Sequence, residues 1–183
     1  MAQLRAEASL AFACAFMNTL DGDVDHLADP AAFGSWLVAT SRFTDPTAGE
    51  RDLALARRLR DALRRLARSG QHEGVDAAAT DELNDLAAEL GLWARFTPGA
   101  EVELGSSTVG ARGALGAVVA AVAVAMADGS WDRVKVCDND ECAAVFYDSS
   151  RNRSGRWCTM AVCGNRVKAR NFRQRQTGRT RTE

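Results

Sequence analysis

Apolar residues in the first ninety positions recur at three- and four-residue intervals, which is the spacing of one face of an α-helix. Residues 4–20 show this pattern, although their second half also fits the start of a strand. Asp29-Pro30 and Asp45-Pro46 each place an N-cap residue before a proline suited to the first helical position. We therefore predict helices that begin at both dipeptides, the second ending at Gly70. A further helix is predicted over residues 80–91.

After residue 91 the apolar positions alternate instead. Residues 94–97 and 101–104 flank Pro98-Gly99, and this pattern predicts a β-hairpin. The run 114–127 is apolar on every side, which indicates a central buried helix in a soluble protein. It is well short of the roughly 20 apolar residues that a transmembrane helix needs, so we predict no membrane anchor. A short strand follows at 133–136, and the fold class expected is α+β with a mainly helical amino-terminal domain.

Charge is distributed unevenly along the chain. The whole sequence carries 23 basic and 24 acidic residues, a net charge of −1. Residues 1–132 contain 11 arginines and 19 acids, whereas residues 133–183 contain 12 basic and 5 acidic residues. From residue 151 onward, ten cations face the single acid Glu183. Such a segment favours binding of polyanions, and nucleic acid is the partner we expect.

Four of the five cysteines form two close pairs, Cys137-x4-Cys142 and Cys158-x4-Cys163, with fifteen residues between the pairs. Two such pairs suit a tetrahedral thiolate site for one structural Zn²⁺, with the intervening segment forming a hairpin that brings the pairs together. A disulfide framework is the alternative, but it requires an oxidising compartment that nothing in the sequence supports. The amino end also lacks the features of a secretory signal, so we predict a cytoplasmic protein. Cys14, on an apolar helical face, is interpreted as a core residue.

The residues around the cysteines carry a resemblance. The stretches 137–142, 145–153 and 157–166, which include Cys163-Gly-Asn-Arg166, resemble the CGNR zinc-finger family. Upstream, Phe16-Met-Asn-Thr-Leu20 and residues 29–37 are similar to the ABATE domain that commonly precedes this finger. The resemblance implies a bacterial transcription regulator. We predict that the finger is treble-clef-like, with a knuckle, a hairpin and a helix. We also predict three parts of the chain, an ABATE-like domain (1–132), a finger with a basic helix (133–176) and a flexible basic tail (177–183).

Individual finger residues have predicted structural roles. Gly164 would let the backbone turn tightly beside the metal, and Asn165 would cap the helix or donate to a thiolate. Asp148 is expected to fix a loop or to pair with an arginine. Aromatic residues in the finger are expected to form a small apolar core rather than to stack on bases; they are Phe146, Tyr147 and Trp157.

A basic helix that starts near Cys163 is expected to contact DNA. The candidate nucleic-acid-binding residues are Arg151, Arg153, Arg156, Arg166, Lys168, Arg170, Arg173 and Arg175. If about six of them contact phosphates, the logarithm of the affinity should fall against the logarithm of salt concentration with a slope of roughly −5. A homodimer with two half-sites would give sequence specificity. RNA is an alternative target, because arginine-rich segments also bind RNA.

A second hypothesis is that the amino-terminal domain binds a small-molecule effector or catalyses a reaction, with the finger as a structural or partner-docking module. The possible ligand pocket consists of Asn18, Thr19, Asp21 and His26, although an acidic turn after a helix explains this group equally well. No phosphate loop, dinucleotide fingerprint or nucleophile elbow is present in the sequence. We therefore predict a regulator rather than an enzyme.

Overall fold

The computed structural model describes residues 2–40, 47–71, 74 and 76–179, with side chains described from residue 9 onward except those of 175 and 177–179. The helices are α1 (Ala2–Met17), α2 (Pro30–Thr40), α3 (Glu50–Ser69), α4 (Ala77–Glu89), α5 (Gly110–Ala127) and α6 (Asn165–Arg179). The strands are β1 (Leu20–Asp21), β2 (Val24–Asp25), β3 (Leu92–Phe96), β4 (Val102–Ser106), β5 (Val134–Val136) and β6 (Val145–Tyr147). Consecutive strands pair into antiparallel hairpins. The predicted α+β class is confirmed.

Helix starts follow the capping side chains. Helix α2 begins at Pro30, where the Asp29 carboxylate accepts a hydrogen bond from the backbone N–H of Ala32 at 2.8 Å, as predicted. Helix α3 begins at Glu50, after the non-helical residues 47–49, and so begins later than the predicted Asp45-Pro46; those two residues lie outside the described ones. The Asp52 carboxylate accepts the Gly49 N–H at 2.9 Å and so closes the first turn of α3.

Helix α4, unlike α3, begins earlier than predicted. Asp76 is its N-cap and accepts the N–H of Ala79 at 2.9 Å, so the helix starts three residues before Thr80. The carboxylate of Asp76 also pairs with Arg65 of α3 at 2.7 Å. The end of α3 at Gly70 and the β3–β4 hairpin agree with the sequence prediction.

Helix α5 is the central element of the core. It packs against α1, α3 and β4, and Leu115, Val118 and Val122 are almost fully buried. Gly116 is needed for the close approach of β4, because a Cβ there would lie 2.2 Å from the Cβ of Ser106. By length and composition alone α5 meets the criteria for a bilayer-spanning segment, but 61% of it is buried within the fold, as in a core helix. This agrees with the prediction of a buried helix.

The four-cysteine segment shares this core. Val134, Val136 and Val145 of the β5–β6 hairpin belong to the same buried cluster as α1 and α5. Two amide side chains of the helical domain flank the paired residues Val136 and Val145. Gln71 exchanges two hydrogen bonds with the backbone of Val136, at 2.8 and 2.9 Å, and Asn18 does the same with Val145, at 2.7 and 2.8 Å. Each amide thus replaces a neighbouring strand.

Arg64 adds a third bridge between the two parts of the chain. Its guanidinium donates to the carbonyl of Met17 at the end of α1, at 2.8 Å, and to the carbonyl of Ala143 beside the second cysteine, at 2.9 Å. Burial and the neighbouring arginines lower the pKa of Arg64. The four-cysteine segment is therefore docked onto the helical domain by its core and by hydrogen bonds.

Candidate functional site

The two cysteine pairs occupy different local structures. Cys137 and Cys142 lie in the loop that connects β5 to β6, whereas Cys158 and Cys163 lie just before and within the π-helical turn Met160–Gly164 that leads into α6. The sequence predicts a hairpin between the two cysteine pairs, and this placement is wrong. The β5 strand precedes Cys137 and the β6 strand follows Cys142, so the hairpin encloses the first pair. Knuckle, hairpin and helix nevertheless follow the predicted treble-clef-like arrangement.

The four sulfurs form a compact cluster. All Sγ atoms lie within 4.8 Å of one another, with separations of 3.7 Å between Cys142 and Cys158 and 3.6 Å between Cys158 and Cys163. A tetrahedral zinc with Zn–S bonds of about 2.3 Å requires sulfurs about 3.8 Å apart. The donor set and its spacing therefore fit one Zn²⁺. Four thiolates fill the coordination sphere, so the ion has a structural role and no open position for a reacting water.

The protonation of these thiols depends on burial and on one amide. Burial raises the pKa of Cys142 and of Cys158. Burial also acts to raise the pKa of Cys163, but the hydrogen bond from Asn139 and those from neighbouring thiols hold this pKa below its ordinary value. The Nδ2 atom of Asn139 lies 3.7 Å from Sγ of Cys163, and the residue is 1% exposed. The sequence did not single out Asn139; it offered Asn165 either as a cap or as the donor to a thiolate.

Three predicted finger roles can be compared with the structure. Asn165 donates to the carbonyl of Ala161 at 3.1 Å, so its role is to cap the turn. Gly164 does not have a positive φ. Its role is close approach, because a Cβ there would lie 2.4 Å from the Met160 sulfur and 3.3 Å from the Trp157 ring. Tyr147, predicted to lie in the finger core, is 45% exposed.

Asp148 organises the loop that follows β6. The carboxylate is 3% exposed and accepts the Lys135 ammonium at 2.6 Å and the N–H groups of Ser150 and Gly155 at 3.0 and 2.8 Å. Burial acts to raise the pKa of Asp148, but these donors hold it well below its usual range. A Cβ on Gly155 would lie 2.7 Å from the carboxyl carbon. Asp148 thus fixes the loop, as predicted, but with a lysine as its partner.

Replacing Asp148 by asparagine should lower the free energy of unfolding by about 1.5–3 kcal/mol, because the variant leaves the Lys135 ammonium without its anion. The folded pKa lies below the unfolded value of about 3.9, so the contribution is present above about pH 4 and declines as the pH falls below it. Urea denaturation should therefore show the same difference from wild type at pH 7 and at pH 5. Asp140→Asn, at an exposed site in the same finger, is the control. Equal stability of the two variants would contradict this prediction.

The predicted nucleic-acid-binding residues divide into those that lie near an acidic side chain and those that do not. Arg156 pairs with Asp138 at 2.7 Å and lies over the Trp157 ring at 5.3 Å, and half-buried Arg170 reaches Glu141 at 3.6 Å. These two cations are held by acids of the first cysteine loop. Arg153 lies 3.8 Å from Asp132. The remaining described cations are exposed, namely Arg151, Arg166, Lys168 and Arg173.

Arg151, Arg166 and Lys168 form no ion pair with any described residue. The exposed Arg173 donates to the Ala169 carbonyl of its own helix at 3.3 Å. Arg175 lies on α6, but its side chain is outside the described ones. The exposed basic surface therefore consists mainly of the loop around Arg151 and the outer side of α6.

The four residues of the predicted ligand pocket differ in their surroundings. The Asn18 amide makes its two hydrogen bonds with the backbone of Val145. Thr19 is fully buried, donates to the Phe16 carbonyl at 2.9 Å and lies 3.2 Å from the Arg60 guanidinium. Asp21 and His26 are exposed. Hydrogen bonding within the fold therefore accounts for Asn18 and Thr19.

A large open groove lies elsewhere on the helical domain. It has a volume of about 1870 Å³ and is walled by α1, α5 and β4. Cys14 and Leu104 lie in its mostly apolar lining, and Tyr147 of the four-cysteine segment closes one part of it. Burial raises the pKa of Cys14 to about 11, so this thiol is protonated at neutral pH, in keeping with a core residue.

Comparison with known families assigns both parts of the chain. Residues 10–130 match ABATE, described as "Putative stress-induced transcription regulator", and residues 133–176 match the CGNR zinc finger. No curated protein matches the chain at the significance required. The ABATE match spans more than half of the chain, and the finger match contains all four clustered cysteines. The chain therefore belongs to the ABATE family and carries a carboxy-terminal CGNR zinc finger.

Proposed function

We propose that this protein is a cytoplasmic regulator that binds DNA through the exposed basic surface of its zinc finger. The observation that carries the proposal is a difference in charge between two parts of the protein. Arg166 and Lys168 on α6 and Arg151 on the preceding loop are exposed and form no ion pair with any described residue, whereas residues 1–132 carry a net negative charge. Cations without acidic partners repel one another, and a phosphate backbone relieves that repulsion. The opposite charge of the helical domain directs the polyanion toward the finger.

The zinc ion has an indirect part in this function. Because Cys163 lies within the turn that leads into α6, the metal fixes the start of the basic helix. Docking of the finger by Asn18, Gln71 and Arg64 then fixes that helix relative to the helical domain. A small-molecule effector or a second copy of the chain that binds the helical domain would therefore affect a finger that is already held in one orientation. The apolar groove supports this part of the proposal, since Tyr147 of the finger forms part of its wall.

The test is a salt titration of binding to labelled duplex DNA, followed by fluorescence anisotropy. We expect the slope of log affinity against log salt to be about −4 to −5 for wild type. The triple variant Arg166→Ala, Lys168→Ala, Arg173→Ala should bind more weakly, with a slope less steep by about 2.5 over about 50 to 200 mM salt. Competition with RNA at matched salt measures the preference between the two nucleic acids.

A charge-matched control separates the basic surface from net charge. Arg51, Arg58 and Arg95 are exposed arginines of the helical domain, and their triple replacement by alanine changes the net charge equally. This control should keep the wild-type slope, apart from a small loss of affinity. Equal weakening by both triple variants, or no binding by wild type at low salt, would contradict the proposal.

A further inference from the structure

Helix α6 presents a large aromatic side chain directly to solvent. Phe172 is 62% exposed. The inner side of α6 is marked by its half-buried residues Val167 and Arg170, of which Arg170 contacts Glu141 of the first cysteine loop. At about 100° per residue, Phe172 lies roughly 160° around the helix from Arg170. The aromatic ring therefore occupies the face of α6 that points away from the protein.

Cations accompany this aromatic side chain on the exposed part of α6. Lys168 lies one turn before Phe172 on the same face, about 40° around the helix, whereas Arg173 and Arg166 lie about 100° and 120° around on the other side; all three are exposed. Helix α6 contains no acidic residue between Asn165 and Arg179. Two copies of this helix would repel each other, so the charge excludes a pair of α6 helices as the cover for Phe172. The charges instead select a polyanion that also offers an apolar contact at its centre.

Duplex DNA offers both features in its major groove, which admits an α-helix between two rows of phosphates. The thymine C5-methyl group is the apolar feature of the base edges there. The major groove of A-form RNA is deep and narrow, and side chains do not read its bases. From this complementarity we infer that the outer face of α6 enters the major groove and that Phe172 contacts thymine methyl groups. The inference rests on the proposed function and names Phe172 as a determinant of sequence preference.

The first experiment selects bound sequences from a randomised duplex DNA pool, using the full zinc-loaded protein. Wild type should enrich a site that contains thymine at one or two fixed positions. Phe172→Ala should lose the preference at those positions while retaining its affinity for the unselected pool and its salt slope. Phe172→Leu keeps an apolar side chain and should retain part of the preference. Phe96→Ala is the matched control, because Phe96 is a phenylalanine of the β3–β4 hairpin that is 80% exposed.

The second experiment replaces thymine by deoxyuridine in the enriched site, which removes only the methyl group. Wild type and Phe96→Ala should lose about three- to fivefold in affinity for each contacted methyl group. Phe172→Ala should bind both duplexes equally. Circular dichroism and one bound zinc per chain would show that each variant is folded.

The outcomes distinguish this inference from the function on which it rests. If wild type binds no duplex DNA, the proposed function and the inference both fall. If wild type binds but enriches no thymine-containing site, or if Phe172→Ala enriches the same site and responds equally to deoxyuridine, the inference is overturned and DNA binding by the basic surface stands.

Discussion

Replacing Cys163 by serine should abolish stoichiometric zinc binding and destabilise the whole chain, not the finger alone. The four sulfurs form one tetrahedral donor set, and a hydroxyl is a poor substitute for a thiolate. Structural zinc contributes about 10–16 kcal/mol of apparent binding free energy in zinc-finger peptides at neutral pH. Loss of one thiolate removes a large part of that contribution. Elemental analysis of the reduced, purified protein measures the metal content.

The effect should extend beyond the finger because the buried valines of the β5–β6 hairpin belong to the core of the helical domain. Val134, Val136 and Val145 are buried with α1 and α5 in one cluster, so unfolding of β5 and β6 exposes part of the helical domain. Thermal unfolding of Cys163→Ser, followed by helical circular dichroism, should therefore occur at a markedly lower temperature than that of wild type. The same loss of stability should follow removal of the metal from wild type by a strong chelator.

Cys14→Ser provides the matched control, since Cys14 is the cysteine outside the cluster. This variant should retain one zinc per chain and lose only the stability expected from a polar group at a partly buried site. One zinc per chain in Cys163→Ser would contradict the assigned donor set. An unchanged melting temperature of the helical domain in that variant would contradict the shared core.

Local patterns in the sequence were sufficient for most elements and for the metal ligands. Thiolates are metal ligands wherever they lie in a fold, so two close cysteine pairs predict a metal site from the sequence alone. The alternation of apolar residues around Pro98-Gly99 likewise predicts a hairpin without knowledge of the rest of the fold. The starts of helices were harder to predict, because more than one residue near the start of α3 is suited to cap it. Asp29-Pro30 begins a helix, whereas after Asp45-Pro46 the first turn forms at Glu50, where Asp52 closes it.

The residues that join the two parts of the chain could not be predicted in this way. Asn18 and Val145 are 127 positions apart, and Gln71 and Val136 are 65 positions apart. A single amide side chain has no periodicity, and its backbone partner can be any residue type. Asn18 was therefore interpreted as a ligand-pocket residue from its polar neighbours. Asn139 was missed for the same reason, because its contact with Cys163 depends on the fold around the metal.

Asn18→Ala should lower the free energy of unfolding by about 2–6 kcal/mol. Val145 is 3% exposed, and the variant leaves both its N–H and its carbonyl without a partner, at about 1–3 kcal/mol for each buried group. Asn18→Asp keeps the acceptor for the Val145 N–H but loses the donor to the carbonyl, so its loss should be smaller. Urea denaturation measures the change, with Asn84→Ala at an exposed site on α4 as the control.

Gln71 makes the equivalent contact on the other side of the same strand pair, so the two substitutions should not be additive. Once either amide is lost, the Val136–Val145 pair is held from one side only, and the second substitution acts on a finger that is already loosened. Hydrogen exchange at the Val145 amide should accelerate in Asn18→Ala before the amides of α5 are affected. If the free energy of unfolding of Asn18→Ala lies within about 0.5 kcal/mol of the wild-type value, the apolar cluster alone docks the finger. The hydrogen bond of Asn18 would then not explain a rigid link between the helical domain and the basic helix.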